Sequence, residues 1–301
     1  MNRSVSIGIC VAIFASTLPA QDETRKSTDS TFNWSGTMAP GSTLRIHDVT
    51  GSIDVIPAGG GTAEVHGERR SNWRGKSDDI TFQVIKDGND VVVCAFYTDN
   101  GRCDAHGIRS EHDGWRDHHA SARLSVKLPN GVHLHAASGN GDVSVRDAGA
   151  DVEVASGNGR VTVGGAKGEV RASSGNGDIT IDRVTGRVSA RTGNGQVRVS
   201  TTSGPVSAAS GNGSIDVRMD GIQGSDDMDF RTGNGRITVE LPASFSGEID
   251  ARQGSGHFDS DFPLTLQGRM SGGHVRGTIG KGGRYLRMSS GSGNIALKKI
   301  D

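Results

Sequence analysis

A three-residue turn, Gly-Asn-Gly, recurs along this chain at a fixed spacing. Five copies begin 18 residues apart, and a sixth begins 22 residues after the fifth, which indicates a four-residue insertion in one repeat. The asparagines of these turns are Asn140, Asn158, Asn176, Asn194, Asn212 and Asn234. Looser copies follow at Gly254-Ser255-Gly256 and Gly291-Ser292-Gly293. Repeats of this length are typical of solenoids, in which each repeat packs only on its neighbours.

Each repeat carries two short runs in which aliphatic and polar residues alternate. Val161 and Val163 follow one turn, and Val170 and Ala172 lie in the second half of that repeat. This alternation predicts strands with one inward face, and such short strands bury that face only by stacking on equivalent strands about 4.8 Å away. The sequence therefore predicts an all-β fold, a right-handed parallel β-helix (β-solenoid) with about 18 residues per coil, since parallel crossovers are right-handed by default. Either two or three strands per coil fit this length.

The composition agrees with a narrow interior and places limits on partners. Hydrophobic residues make up 33% of the chain and aromatic residues 4%, while glycine supplies 46 residues and proline 7. A core of this kind is filled by valine rather than by large rings. The formal net charge of −1 implies neither a nucleic-acid partner nor an anionic membrane.

Residues 1–20 are interpreted as an export signal. Arg3 is followed by an apolar stretch from Val5 to Leu18 that is too short to span a bilayer, and Ala20 is the expected last residue before cleavage. The alternative is an uncleaved anchor. No later segment is expected to cross a membrane. The mature chain is therefore expected in the periplasm, at the cell surface or secreted.

The remaining chain divides into three regions. Residues 21–41 are polar and are predicted to be a flexible leader. Residues 42–135 are predicted to form irregular N-terminal coils, with a long exposed loop at 97–120. Residues 136–301 are predicted to form the regular solenoid, in which charges at Lys298, Lys299 and Asp301 protect the last strand from pairing with other chains.

Cys94 and Cys103 are the only cysteines outside the export signal. In an oxidising compartment such a pair is most simply a disulfide that closes a small loop. Two free thiols, or a metal site shared with histidines nearby, are the alternatives. The nearby histidines match no zinc spacing and are interpreted as a solvated loop with no metal; they are His106, His112, His118 and His119.

The asparagines of the repeated turns are predicted to stack into a structural ladder that satisfies turn carbonyls. An exposed ligand-binding row is the alternative. Serine or threonine precedes every turn and predicts a second, hydroxyl ladder. A calcium roll is excluded because arginine follows the turn at Arg160 and Arg236, where a carboxylate ligand is needed. The glycine runs lack the lysine and helix of a phosphate loop, so no cofactor is expected.

No catalytic constellation is evident in the sequence. Acidic and basic residues alternate along the coils without a shared cluster, and few aromatic residues are available as platforms for sugar rings. The chain is therefore predicted not to be an enzyme. A polysaccharide-active β-helix enzyme, or an envelope-stress sensor that uses the loop at 97–120, is the alternative.

Several segments resemble a bacterial family of unknown function that is labelled putative adhesin. The matching residues are Leu128-Pro129-Asn130-Gly131-Val132-His133-Leu134, the serial turns from Ser138 to Arg236, and Thr50-Gly51-Ser52-Ile53-Asp54-Val55. The resemblance implies an exported β-solenoid at the cell envelope and carries no catalytic residues. Its flat repeated faces suit contact with envelope proteins or glycans.

Overall fold

A computed structural model describes residues 25–27, 29–71, 79–98, 101–104, 106–110, 120–266 and 273–300. Within these ranges every regular element is a β-strand, and no helix there is long and apolar enough to cross a membrane. The predicted export signal at residues 1–20 lies outside the described residues.

The chain forms 28 strands within the described ranges. The N-terminal strands are β1 Arg25–Ser27, β2 Thr31–Thr37, β3 Thr43–Asp48, β4 Gly51–Pro57, β5 Thr62–Ser71, β6 Ile80–Asp87, β7 Asp90–Tyr97, β8 Gly101–Asp104, β9 Gly107–Ser110 and β10 Ala120–Leu128. The central strands are β11 His133–Asn140, β12 Val143–Ala148, β13 Val152–Asn158, β14 Val161–Ala166, β15 Val170–Asn176, β16 Ile179–Val184, β17 Val188–Asn194, β18 Val197–Thr201, β19 Val206–Asn212, β20 Ile215–Met219, β21 Met228–Asn234 and β22 Ile237–Pro242. The C-terminal strands are β23 Gly247–Ser255, β24 Phe258–Ser260, β25 Thr265–Leu266, β26 His274–Ile279, β27 Tyr285–Ser292 and β28 Ile295–Ile300.

The repeats wind into a two-sheet solenoid, which confirms the predicted fold class. Each coil gives one strand to a 14-stranded sheet, here called sheet A, and one to a 12-stranded sheet, called sheet B. Equivalent residues pair in parallel from coil to coil, as Val152 does with Val170 and Val170 with Val188. The number of strands per coil, which the sequence left at two or three, is therefore two.

The interior consists of the alternating aliphatic positions of both sheets. Val161 and Val163 of β14 are fully buried, and so are Ile179 and Ile181 directly beside them in β16. Burying one such side chain contributes roughly 1.5–3 kcal/mol, and the contribution recurs with every coil. The stacked strands are thus stabilised by rows of equivalent aliphatic side chains, which together form one continuous interior along the solenoid.

The order of the coils in space departs from their order in the chain at both ends. The first coil, β3 and β4, stacks directly on β11 and β12, and the residues between them form additional strands at the same end. At the other end, β27 lies between β21 and β23, and β28 lies between β22 and β24. The last coil of the chain is therefore an inserted coil rather than a terminal one.

This insertion corrects the predicted role of Lys298 and Lys299. Both residues pair with β22, and β24 pairs with Ile295–Leu297 on the other side of β28, so this strand is not the free edge of sheet B. Asp301 lies outside the described residues. That end is covered instead by β23 to β26, where β26 runs antiparallel to β23. The antiparallel strands interrupt the parallel stack and take over the protective role.

The predicted flexible leader is also corrected. Within residues 21–41 the structure places β1, which pairs with β6, and β2, which pairs with β5. Phe32 of β2 is buried and stacks on Phe82 of β6, with ring centroids 5.1 Å apart. Burial of this ring, which joins the ends of the two sheets, orders a segment whose composition is mainly polar.

The predicted exposed loop at 97–120 contains a hairpin in its described part. Strands β8 and β9 pair antiparallel, and the Sγ atoms of Cys94 and Cys103 are bonded across 1.99 Å. Cys103 packs with Val92, Cys94 and Phe96 in a small apolar cluster on the outer side of sheet A. The hairpin is therefore a cover over this sheet, and not an exposed loop, because apolar side chains from both elements meet there.

We expect the inserted position of the last coil to be detectable by cysteine pairing. Asn234 lies beside Ser292 in adjacent strands, whereas Ser255 lies beyond Ser292 on its far side. A disulfide requires Cα atoms within about 7 Å, which adjacent strands satisfy and strands two layers apart do not. The double variant Asn234→Cys/Ser292→Cys should form an additional disulfide, measured by intact mass before and after alkylation.

The matched control is Asn234→Cys/Ser255→Cys, which should retain two free thiols. If this control is oxidised and the first variant is not, the chain stacks its coils in sequence order and the inserted arrangement is wrong.

Candidate binding face

The asparagines of the repeated turns form a continuous ladder of side-chain hydrogen bonds. Each carboxamide donates from Nδ2 to the Oδ1 atom of the asparagine one coil earlier, over 2.7 to 2.8 Å, from Asn158 onto Asn140 through to Asn234 onto Asn212. The asparagines are exposed to solvent. These amides bind one another, and not the turn carbonyls that the sequence had suggested.

The turn carbonyls are bound by the hydroxyl row instead. Ser156 donates from Oγ to the carbonyl oxygen of Gly141 over 2.8 Å, and the same contact repeats in neighbouring coils. The members of this row are Ser138, Ser156, Ser174, Thr192, Ser210, Thr232 and Ser290. All are buried. Because each hydroxyl already satisfies one carbonyl, the asparagine amides remain free to bond along the stack.

The predicted histidine cluster is represented by one residue. His106 is exposed, and its backbone N–H donates to Oδ1 of Asp104 over 2.8 Å. His112, His118 and His119 lie outside the described residues. Within the described ranges no group of three or more histidine, cysteine, aspartate or glutamate side chains is arranged to hold a metal ion.

The N-terminal end of the outer face of sheet A is occupied by the β8–β9 hairpin. Beneath it lies His47, whose ring meets that of His135 edge to face at 5.2 Å between centroids. Burial, followed by the nearby His135 and Arg45, lowers the pKa of His47 to about 4. Its Nε2 atom has no hydrogen-bond partner among the described residues. The ring is therefore neutral at physiological pH and is packed into the structure.

Asp48 is a second buried group that sequence reasoning missed. It pairs with Ser138 in the strand register and so stands where later coils carry the hydroxyl row. Its Oδ1 accepts from the backbone N–H of Thr50 over 3.1 Å, while Oδ2 has no partner among the described residues. Burial raises its pKa to about 8. The alignment of Asp48 with the serine and threonine positions is the signal that could have revealed it.

The outer face of sheet B is a polar surface that extends across the coils. Its outward residues form a central row of mostly short side chains that continues from strand to strand across the coils. In spatial order this row is Ser125, Asp54, Ser144, Thr162, Thr180, Arg198, Asp216 and Thr238. A neighbouring row carries longer charged residues, including Lys127, Arg146, Asp182, Arg218 and Glu240. We call these two rows the sheet B face.

The sheet B face contains a groove of about 610 Å³ at its N-terminal end. Lys127 and Glu64 form an ion pair over 2.8 Å beside it, and Arg146 lies 3.5 Å from Asp54. His66 contacts Oδ1 of Asn33 over 2.7 Å at the margin. The groove is thus lined by paired charges and hydroxyls together with apolar side chains, which include Trp34 and Ile56.

A second groove of about 450 Å³ lies further along the same face. Gln196 donates to Oδ2 of Asp216 over 2.6 Å, and Arg218 lies 3.4 Å from Glu240. Thr180 forms part of its floor. Thr162 and Gly164 lie in β14 between the two grooves, where Thr162 continues the central row and Arg183 donates to the carbonyl oxygen of Gly164 over 3.3 Å.

This arrangement is suited to hydrogen bonding rather than to acid–base chemistry. The described carboxylates that line the two grooves each meet an arginine, lysine or amide, as Asp182 does with Arg183 at 3.2 Å. Hydroxyls and paired charges repeat at the strand spacing, so the face offers similar donors and acceptors to successive units of an extended molecule.

The geometry defines a class of protein, a two-sheet parallel β-solenoid with a long polar outer face. The sequence model of the Toastrack DUF4097 family matches residues 73–298. The chain therefore belongs to this family, as the resemblance in the repeated turns had suggested.

Two solved structures are similar to this chain at low identity. A putative cell adhesion protein from Clostridium sporogenes ATCC 15579 is 13% identical, with a TM-score of 0.26 over 90% of this chain and 100% of that one. A putative adhesin from Bacteroides fragilis NCTC 9343 is 11% identical, with a TM-score of 0.38 over 90% of this chain and 97% of that one. A search of curated proteins gives no match.

The two buried titratable groups predict a characteristic pH dependence of stability. Folded Asp48 keeps its proton up to about pH 8, whereas the unfolded carboxyl loses it near its ordinary pKa of 3.8. Unfolding thus releases a proton in this window, and the free energy of unfolding falls as pH rises. His47 has the opposite effect between its folded pKa of about 4 and its ordinary pKa of 6.5. The two effects oppose each other below pH 6.5, so the net fall is expected between pH 6.5 and 8.

The slope in that window should approach about 1.4 kcal/mol per pH unit, the limit for one proton. Urea unfolding at pH 6.5, 7.25 and 8 measures it. Asp48→Asn should remove most of the slope, while Asp54→Asn, on the exposed sheet B face, should leave it in place. Equal slopes in wild type and Asp48→Asn would contradict the assignment.

Proposed function

We propose that this chain is an exported, non-enzymatic binding scaffold of the cell envelope, of the adhesin type, and that it holds an extended glycan along the sheet B face. The observation that carries the proposal is the continuity of this face, where two grooves share one row of mostly short polar side chains. The regular spacing of parallel strands presents that row repeatedly to a repeating polymer.

The balance of charge on the face favours a polar polymer over a strongly charged one. The N-terminal groove is lined by two acidic residues, Asp54 and Glu64, and two basic residues, Lys127 and Arg146. Most of these charges are already paired within the protein. A polyanion or polycation would have to compete with those pairs, whereas hydroxyl-rich chains add hydrogen bonds without separating them.

The absence of catalysis remains part of the proposal. The carboxylates that line the grooves are engaged by neighbouring cations or amides, and the buried Asp48 lies on the inner side of sheet A. A glycosidase needs two carboxyl groups that flank the bond to be cleaved, one of which is held protonated. The described groove residues offer binding contacts in preference to such a pair.

We expect binding to depend on the short side chains between the two grooves and in the floor of the second groove. Thr162 and Thr180 are adjacent on sheet B, and Ser189 and Ser207 are an equivalent adjacent pair on the outer face of sheet A. The double variant Thr162→Gln/Thr180→Gln fills the floor without adding charge and should weaken glycan binding about tenfold, which corresponds to roughly 1.4 kcal/mol. Ser189→Gln/Ser207→Gln should bind as wild type.

The measurement is interferometry on immobilised peptidoglycan, dextran, hyaluronan and chitosan, with release of reducing ends followed in parallel. If both double variants weaken binding equally, the glycan contact does not lie on the sheet B face. Absence of binding to every probe would contradict a glycan scaffold, and release of reducing ends by wild-type protein would favour the polysaccharide-active alternative.

Export is tested separately from binding. The full chain with a C-terminal tag, produced in a Gram-negative host, should appear in the periplasm or medium with Gln21 as its first residue, because residues 1–20 have the charge and apolar length of a signal. Edman sequencing or terminal-peptide mass spectrometry identifies the new N-terminus. Retention of Met1 in a membrane fraction would indicate the uncleaved anchor, and a soluble cytoplasmic product would contradict export.

A further inference from the structure

Each asparagine of the ladder is followed by glycine, a pair that is chemically labile in a flexible chain. The glycine backbone nitrogen loses its proton and attacks Cγ of the asparagine side chain. The Cγ–Nδ2 bond breaks, ammonia leaves, and a cyclic imide remains. Water then opens the ring to aspartate or to isoaspartate, which places an extra carbon in the main chain. Attack requires a free glycine N–H and a carboxamide that can rotate over it.

The stacked turns obstruct both requirements. The N–H of Gly159 donates to the carbonyl oxygen of Asn176 over 3.0 Å, and the N–H of Gly177 donates to that of Asn194 over 2.8 Å. At the same time the carboxamide of Asn176 donates to Asn158 and accepts from Asn194, each over 2.8 Å. The nucleophile is thus engaged in a bond between coils, and the side chain is held on both sides along the ladder.

One described Asn-Gly pair lies outside the ladder. Asn130 and Gly131 form the tight turn between β10 and β11, where the N–H of Val132 donates to the carbonyl of Pro129 over 3.3 Å and Gly131 has φ of 81°. Asn130 is exposed. No acceptor for the Gly131 N–H is found among the described residues, although the Asn130 Oδ1 atom lies against Gly149.

We infer that the coil stack shields the six ladder asparagines from deamidation, and that Asn130 is the principal site of this modification among the described Asn-Gly pairs of the folded protein. The inference depends on the difference in hydrogen bonding between the ladder turns and the Asn130-Gly131 turn, and it does not depend on a ligand. Asn100 also precedes a glycine but lies outside the described residues, so it is not assigned.

The ladder further predicts an order among its own members. The four inner asparagines, Asn158 to Asn212, both donate and accept along the stack. Asn140 only accepts within the ladder, and Asn234 only donates. These two end members have fewer bonds to break before the carboxamide rotates. They should therefore react faster than the inner four, and more slowly than Asn130.

Deamidation within the ladder would also disturb the stacking of the coils. An aspartate carboxylate in the ladder offers no donor to the Oδ1 atom of its neighbour, so two acceptors would face each other. An isoaspartate would lengthen the main chain at the point where coils must repeat every 18 residues. Either product would disturb the pairing that had prevented its formation.

The test is peptide mapping by mass spectrometry after incubation of the full chain at mildly alkaline pH, once folded and once in urea. In the folded protein Asn130 should convert roughly a hundredfold faster than the inner ladder asparagines, the factor expected when about three hydrogen bonds must be broken. In urea the seven sites should convert at similar rates. Similar rates at Asn130 and the inner asparagines in folded protein would overturn the inference, as would a large difference that persists in urea.

A single variant separates shielding from overall stability. Asn176→Ser places in the ladder the residue that the looser turns carry at Ser255 and Ser292, and it removes one partner from Asn158 and one from Asn194. These two should then convert several-fold faster, while Asn212 keeps both partners and keeps its slow rate. Thermal unfolding checks that the variant folds. If Asn158 and Asn194 stay as slow as Asn212 in the folded variant, ladder bonds do not provide the shield.

Discussion

The close parallel contact between successive glycine-bounded turns is the constraint on which the rest of the structure depends. A Cβ atom at Gly159 would lie 2.2 Å from the carbonyl oxygen of Gly141 in the preceding coil, a separation that no side chain tolerates. With glycine there, the turns approach closely enough for the N–H of Gly159 to reach the carbonyl of Asn176. This contact fixes the register, and the aliphatic, hydroxyl and amide rows all follow from it.

The repeat therefore made the interior predictable. Once the coils are in register, Val161 must lie beside Ile179 and Asn158 beside Asn176, and period-two alternation decides which side chains face inward. The choice between two and three strands per coil could not be made in the same way, because 18 residues accommodate either. The sequence pattern indicated the turn carbonyls as partners of the asparagine amides, because it does not show that the serine and threonine hydroxyls occupy those carbonyls instead.

The sequence period did not predict how the two ends of the solenoid are arranged or which residues line the grooves of the sheet B face. A repeat gives the register between two coils but does not decide which coils are neighbours, and it is β27, not β23, that pairs with β21. The N-terminal groove shows the consequence. Asp54, Lys127 and Arg146 come together only because β4 stacks between β10 and β12, although the chain separates these strands widely. Its lining is a product of tertiary stacking, and no local motif marks it.

The same arrangement has a consequence for the durability of the molecule. In a solenoid each coil contacts only its neighbours, so opening begins most easily at the ends. Here the N-terminal end is covered by antiparallel strands that include the stacked Phe32 and Phe82, and the C-terminal coil is held between two others. Fraying of the ladder would require these covers to open first. The hydrogen bonds that prevent the glycine nitrogens from attacking the carboxamides thus depend on strands at the two ends of the solenoid. The rate of asparagine deamidation in the turns should therefore report how often those ends open.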